Sequence, residues 1–118
     1  RTNLIEGEVV SIENDNTLIS TAIGTIACQT QNAPPVGSKV SLSIRPEFTR
    51  VIEGGSKEGQ NTFQGRVESL LFIGDAYEGV IKVGETRLIT RIEVDASIKE
   101  GDEVDLHVYP GQCSVVYR

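Results

Sequence analysis

The sequence has 118 residues and a net charge of −6, from 17 acidic and 11 basic side chains. Its length limits it to one domain, or to two very small units that share a core. The acidic balance argues against nucleic acid or an anionic membrane as the main partner, because both require local positive potential. No apolar run approaches the ~18 residues of a transmembrane helix.

Period-two alternation of apolar and polar residues, rich in Val, Ile and Thr, predicts an all-β fold. Asn, Asp and Gly separate the alternating segments and tolerate the positive φ that tight hairpins require. One helical turn is predicted around Val94–Ile98. In chain order, the predicted strands are Leu4–Glu13, Thr17–Ile23, Thr25–Thr30, Lys39–Ile44, Thr49–Ile52, Phe63–Ile73, Ala76–Val83, Thr86–Arg91, Glu103–Val108 and Ser114–Tyr117.

The second half of the sequence repeats landmarks of the first half. Segment 54–61 carries no apolar residue and therefore predicts a mobile linker between the copies. We predict a first repeat over residues 1–53, a linker over 54–62 and a second repeat over 63–118, in one compact tandem domain. Five short strands per repeat predict a tandem barrel of the oligonucleotide/oligosaccharide-binding (OB) type, with two five-stranded β repeats packed together. The matched landmarks are Gly7 with Gly65, Gly24 with Gly84, Gly37 with Gly101, and Pro46 with Pro110.

The opening strand of each repeat is unusually long, and each contains an early glycine, Gly7 or Gly65. Glycine suits a bend or bulge within a strand. We expect both strands to bend there, so that each serves both halves of its own sheet.

Residues capable of reaction chemistry are scattered along the sequence. The Gly-rich segment 54–59 lacks the order of a phosphate loop, because its Lys precedes the final Gly and no Ser or Thr follows. His107 is expected on the surface, with no nucleophile placed beside it. Phe48, Phe63 and Phe72 fall where a core is expected, which argues against a base-stacking surface. We predict no catalytic, cofactor-binding or metal-binding residue.

The two cysteines, Cys28 and Cys113, lie one in each repeat and lack any metal-binding spacing. A disulfide between them is possible. Two buried structural thiols in a reducing cytosol are the favoured interpretation.

The segment Arg45-Pro46-Glu47 stands apart from the alternating pattern. Pro46 ends a strand because it cannot donate to the ladder, and the two charges lie on the same side of an extended chain. This spacing suits a local ion pair or the anchoring of a neighbouring surface. A strand terminator with two solvated charges is the alternative, and both interpretations stay open at this point.

Val36–Glu47, read as VGSKVSLSIRPE, resembles the TOBE (transport-associated OB) region that closes the ATPase subunits of binding-protein-dependent ABC importers. The hallmark of that family is V-G-x-x-[VL]-x-[LV]-x-[IV]-R-P-E. Asn3–Val9 resembles the opening strand of the family, Phe63–Val67 resembles the start of its second repeat, and Gly101–Val104 resembles its closing strands. The resemblance covers nearly the whole chain.

This resemblance implies a non-catalytic regulatory and dimerisation domain. In that family the Walker A, signature and Walker B motifs belong to the preceding nucleotide-binding domain of the same polypeptide, which would bind ATP and Mg²⁺. The implied partners are that domain, a second ATPase subunit in a homodimer and, indirectly, the membrane permease subunits. The implied location is cytoplasmic, peripheral to the inner face of the cell membrane, with no cofactor in this chain. Because the sequence has no Met and begins at Arg1, we expect it to be a fragment of such a subunit.

The candidate partner-contact residues are Arg45, Pro46 and Glu47, with Gly74 and Asp75 as a second choice. One alternative function is a sensor domain for a small oxyanion or sugar, although the sequence lacks a Ser-Ala-Arg-Asn-type oxyanion motif, which argues against molybdate. The other alternative is an OB-type binder of single-stranded nucleic acid.

Overall fold

The computed structural model describes residues 2–53 and 60–117 of the chain. Most of the predicted linker, and the Gly-rich segment within it, lies outside the described residues. Each predicted strand is present, with its ends within one or two residues of the prediction. The strands are β1 Asn3–Glu13, β2 Asn16–Thr21, β3 Gly24–Gln29, β4 Lys39–Ile44, β5 Thr49–Glu53, β6 Thr62–Phe72, β7 Ala76–Val83, β8 Thr86–Glu93, β9 Glu103–Val108 and β10 Cys113–Tyr117.

Short 3₁₀ helices at Pro46–Phe48 and Pro110–Gln112 link β4 to β5 and β9 to β10. The helical turn predicted around Val94–Ile98 is wrong. A single i→i+3 hydrogen bond, from Ala96 N–H to Glu93 O at 3.1 Å, closes a turn there, and residues 97–99 have no regular secondary structure. One such bond does not offset the entropy of nucleating a helix.

The strands form two five-stranded antiparallel sheets. The first sheet has the strand order β10-β4-β1-β2-β3, and the second has β5-β9-β6-β7-β8. Each sheet curls so that its two outermost strands approach each other, β10 to β3 and β5 to β8. The predicted fold class, an all-β tandem of OB-like five-stranded units, is confirmed.

The fifth strand of each predicted repeat joins the sheet of the other repeat. The strand β5 pairs with β9, with Thr49 opposite Val108. The strand β10 pairs with β4, with Cys113 opposite Ile44. Each sheet is therefore completed by a strand from the other half of the chain. The predicted division of the chain into two repeats at residues 54–62 stays a prediction, because strand pairing alone does not test it.

The long opening strands serve two neighbours each, as predicted, but their register irregularities lie after Gly7 and Gly65 and not at them. The strand β1 pairs with β4 through its first half and with β2 through its second half, with an irregular register between Val9 and Ser11. The strand β6 repeats this arrangement. A Cβ at Gly7 would lie 2.5 Å from Ile19 Cγ2 and 2.7 Å from the backbone oxygen of Ser20. Close backbone packing is the reason for glycine at this position.

The buried apolar side chains of both sheets form one core cluster, to which Cys28 and Cys113 also belong. Phe63 packs against this cluster and Phe48 is half-buried. The prediction that Phe72 lies in the core is wrong, since 57% of it is exposed. Phe72 is the last residue of β6, next to the β6–β7 turn.

Two asparagine side chains fasten each half of the molecule to the other. Asn3, at the start of β1, accepts a hydrogen bond from Ile89 N–H and donates to Ile89 O, at 2.8 and 2.7 Å. Asn61, just before β6, makes the same pair of bonds with Ala27, at 2.7 and 2.8 Å, and also donates to Val108 O at 2.9 Å. Both asparagine side chains are buried, and the bonds satisfy backbone groups of Ala27, which is buried, and of Ile89, which is half-buried.

Candidate functional site

The Arg-Pro-Glu segment forms the 3₁₀ turn between β4 and β5. Arg45 is extended, with φ −75° and ψ 143°, as expected for a residue that precedes proline. Its carbonyl accepts from Phe48 N–H at 2.9 Å, and the Thr49 hydroxyl donates to Pro46 O at 2.8 Å. The turn therefore fixes the backbone from which both charged side chains project.

Arg45 and Glu47 form the local ion pair that their spacing suggested, with Nη2 and Oε2 2.8 Å apart. The side chains are 64% and 41% exposed, and the guanidinium carbon lies 5.8 Å from the centroid of the Phe48 ring. Exposed ion pairs contribute only about 0–1 kcal/mol to stability. The pair therefore contributes little to stability.

The second candidate pair, Gly74 and Asp75, lies in the β6–β7 hairpin. Gly74 has φ +108°, a conformation that glycine adopts at low cost. Asp75 Oδ2 accepts from Arg91 Nη2 at 3.0 Å, and Glu93 Oε1 lies 3.4 Å from Arg91 Nε. The hydrogen bond to Asp75 raises the pKa of the Arg91 guanidinium, which stays charged.

A surface cleft of about 460 Å³ lies between the Arg-Pro-Glu turn and the β6–β7 hairpin. One wall is the 3₁₀ turn, and the opposite wall is formed by the β6–β7 hairpin and the adjoining part of β8. Gly74 and Asp75 do not line the cleft, although Asp75 bonds to Arg91, which does. The lining residues are Arg45, Pro46, Glu47, Ile73, Tyr77, Glu78, Thr90 and Arg91.

Tyr77, Glu78 and Arg91 were not singled out from the sequence. Each sits on a strand with ordinary alternation, and nothing local marks it as part of a site. Arg91 faces the Arg-Pro-Glu turn only because β5 joins the second sheet and draws that turn against β8. Alternation of apolar and polar residues predicts strands, but it does not predict this contact between distant segments.

The corresponding cleft in the other half lacks positive charge. It has a similar volume, about 480 Å³, and lies where the turn at Pro110–Gln112 approaches β3. A Cβ on Gly111 would lie 3.0 Å from Gln29 Oε1. The two halves share a backbone arrangement but present different chemistry. Its lining residues are Asp15, Gln29, Thr30, Gln31 and Gly111.

Titratable groups elsewhere are dispersed. In residues 2–53 and 60–117, no cluster of three or more His, Cys, Asp or Glu side chains could hold a metal ion. His107 is half-buried, with Nδ1 3.1 Å from the Thr62 hydroxyl and its ring 4.8 Å from that of Tyr109. No helix within the part of the chain that the structure describes is long and apolar enough to cross a membrane.

Comparison with known families identifies the class of protein. The model of the TOBE domain family matches residues 42–116, from within β4 to within β10. The chain belongs to the TOBE domain family, as the sequence predicted.

Among curated proteins, the chain is similar to the spermidine/putrescine import ATP-binding protein PotA of Rubrobacter xylanophilus. The two are 27% identical over 123 residues, which cover 98% of this chain and 32% of that protein. The chain therefore spans about a third of the length of the curated relative it matches.

Among solved structures, the chain is similar to the cytoplasmic molybdate-binding protein ModG, in a crystal form with molybdate bound. The TM-score is 0.82 at 15% sequence identity, and the alignment covers 98% of this chain and 96% of that chain. This likeness shows that the two proteins share a fold.

Proposed function

We propose that this chain is the non-catalytic regulatory and dimerisation domain of the ATP-binding subunit of an ABC importer. The observation that carries the proposal is the alignment of 98% of the chain with one third of an import ATP-binding protein, within a TOBE family match. The dispersed titratable groups of the described residues are consistent with a role in contact rather than in catalysis.

The first proposed partner is the nucleotide-binding domain of the same polypeptide, which binds ATP and Mg²⁺, while this chain binds no cofactor. The second is another copy of the ATPase subunit, in a homodimer. The permease subunits are indirect partners. The proposed location is the cytoplasmic face of the cell membrane.

We assign partner contact to the cleft between the Arg-Pro-Glu turn and the β6–β7 hairpin. Both arginines on its wall are held by carboxylates, so a charged rim is already oriented before a partner arrives. Phe72 and Ile73 on the hairpin are 57% and 47% exposed. Exposed apolar side chains beside an ordered polar rim are typical of a protein contact surface.

A chimera tests this proposal. The matched third of the PotA relative is replaced by this chain, and the product is compared with the same protein truncated before the replaced region. We expect ATP-dependent dimerisation of the chimera, followed by sedimentation, to resemble that of the parent, and the truncated protein to dimerise at least about tenfold more weakly. A truncated protein that dimerises as well as the parent would refute the dimerisation role. Binding of ATP to the isolated chain in a nucleotide titration would refute the proposal that only the nucleotide-binding domain binds ATP.

A second candidate function is the binding of a small oxyanion or sugar in the same cleft, where the guanidinium groups of Arg45 and Arg91 face a common space. Each arginine already bonds to a carboxylate, so an anion would have to displace Glu47 or Asp75. Thermal unfolding with molybdate, sulfate, phosphate or sugars separates this function from the first. A rise in Tm that depends on ligand concentration would favour a sensor.

A third candidate function, binding of single-stranded nucleic acid, has the least support. The net charge is −6, and Phe48 and Phe63 are at least half-buried. Salt-dependent affinity for an oligonucleotide would be required to revive it.

A further inference from the structure

Cys28 and Cys113 meet across the seam of the first sheet. They lie on β3 and β10, the two outermost strands of that sheet, which curling brings into contact. Their relative exposures are 0% and 6%. Both belong to the same buried core cluster, and Cys113 Sγ lies 3.6 Å from Tyr109 O.

The corresponding seam of the second sheet places two side chains within hydrogen-bonding distance. There the seam is formed by Thr49 on β5 and Thr90 on β8, whose hydroxyl groups share a hydrogen bond. Thr49 opens its strand opposite Val108, just as Cys113 opens its strand opposite Ile44. The sequence thus has a hydroxyl pair at one seam and a thiol pair at the other.

The two thiols differ in access and in acidity. Cys113 lines an open surface cleft of about 340 Å³ together with Pro34 and Ser114, and Cys28 does not reach it. The hydrogen bond with Cys113, together with burial, raises the pKa of Cys28. The same bond lowers the pKa of Cys113. Cys113 is therefore the thiol that is deprotonated first and that a small oxidant can reach.

We propose that Cys113 and Cys28 form a redox site in which a peroxide converts the thiol pair into a disulfide across the barrel seam. The Cys113 thiolate attacks one peroxide oxygen, the O–O bond breaks, and a sulfenic acid and hydroxide form. The Cys28 sulfur then attacks the sulfenic sulfur. Its proton and the departing hydroxyl leave as water, so that hydrogen peroxide and two thiols yield a disulfide and two waters. This site is independent of the proposed regulatory and dimerisation function.

Oxidation of the 118-residue chain with hydrogen peroxide tests the site. We expect the intact mass to fall by about 2 Da, the free thiols to disappear, and dithiothreitol to restore both. The disulfide should raise Tm by about 10 °C, because it closes a long loop of the unfolded chain. The matched control is Cys28→Thr/Cys113→Thr, which copies the threonine pair at the other seam. Peroxide should change neither its mass nor its Tm.

Single variants identify the order of reaction. Cys28→Ser should stop at a sulfenic acid on Cys113, which dimedone traps, whereas Cys113→Ser should leave Cys28 unmodified in the folded protein. Three results would overturn the proposal: thiols that resist peroxide, oxygen addition of about 16 Da per thiol without the loss of 2 Da, or cross-links only between chains.

Discussion

Asn61 holds both backbone polar groups of Ala27, a residue of the opposite sheet. The Ala27 N–H donates to Asn61 Oδ1 at 2.7 Å, and Asn61 Nδ2 donates to Ala27 O at 2.8 Å. Asn3 holds Ile89 in the same way on the other side of the molecule. The two amides thus fasten the sheets reciprocally.

Replacing Asn61 by Ala should lower the free energy of unfolding by about 3 kcal/mol, because three buried backbone groups lose their partner. Asn61 also has φ +59°, so part of the loss is backbone strain. Asn14→Ala is the matched control, since Asn14 has φ +56° but is exposed. Urea unfolding of both variants separates the contribution of the amide hydrogen bonds from that of the backbone strain. Equal losses for the two variants would show that the amide bonds contribute nothing.

Replacing Gly7 by Ala should cost about 2–3 kcal/mol, because the new Cβ would overlap Ile19 and the Ser20 carbonyl and force the strands apart. Thermal or urea unfolding measures the cost. Leu4→Ala, at a position 67% exposed on the same strand, should change stability much less. A Gly7→Ala variant as stable as Leu4→Ala would show that β1 and β2 are not packed this closely.

The pairing of β10 with the first sheet predicts which strand loses protection when the end of the chain is removed. Removal of residues 113–118 deletes β10, which the sequence places in the second repeat but which pairs with β4 in the first sheet. We expect β4 amides to lose hydrogen-exchange protection while β9 amides keep theirs. Loss of protection in β9 before β4 would contradict the exchange.

Alternation was sufficient to predict the strands, because most of them have one face in the core and the other at least partly exposed. It could not predict which edge a strand joins, since β5 has the same alternation whether it completes the first sheet or the second. The predicted equivalence of Gly24 and Gly84 between the two repeats was also wrong, because sequence alignment did not show their positions in the hairpins. Gly24 lies opposite Thr21 in its hairpin, and the residue in that place in the other hairpin is Thr86.

The site was only partly predictable. Arg45 and Glu47 are neighbours in sequence, so their ion pair followed from local geometry. Their approach to Arg91 depends on the exchange of β5, which is a relation between distant segments that local pattern does not encode. The exposure of Phe72, at the end of β6, was not predicted either.

Removing the Arg45–Glu47 ion pair should leave the fold intact. Arg45→Ala/Glu47→Ala should lower the free energy of unfolding by less than about 1 kcal/mol, because the pair is solvent-exposed. Arg66→Ala/Glu103→Ala is the matched control, since that pair has a 2.6 Å contact and both side chains are 65% exposed. Thermal unfolding should show similar small shifts for both. A large loss for the cleft variant alone would indicate a structural role.

The partner-contact assignment is tested most directly by the same two double variants within the PotA chimera, with ATP-dependent dimerisation measured by sedimentation. The cleft is predicted to be the contact surface, so Arg45→Ala/Glu47→Ala should weaken dimerisation by about tenfold, equivalent to about 1.4 kcal/mol, while Arg66→Ala/Glu103→Ala leaves it unchanged. Equal dimerisation by both variants and the unmodified chimera would contradict the assignment.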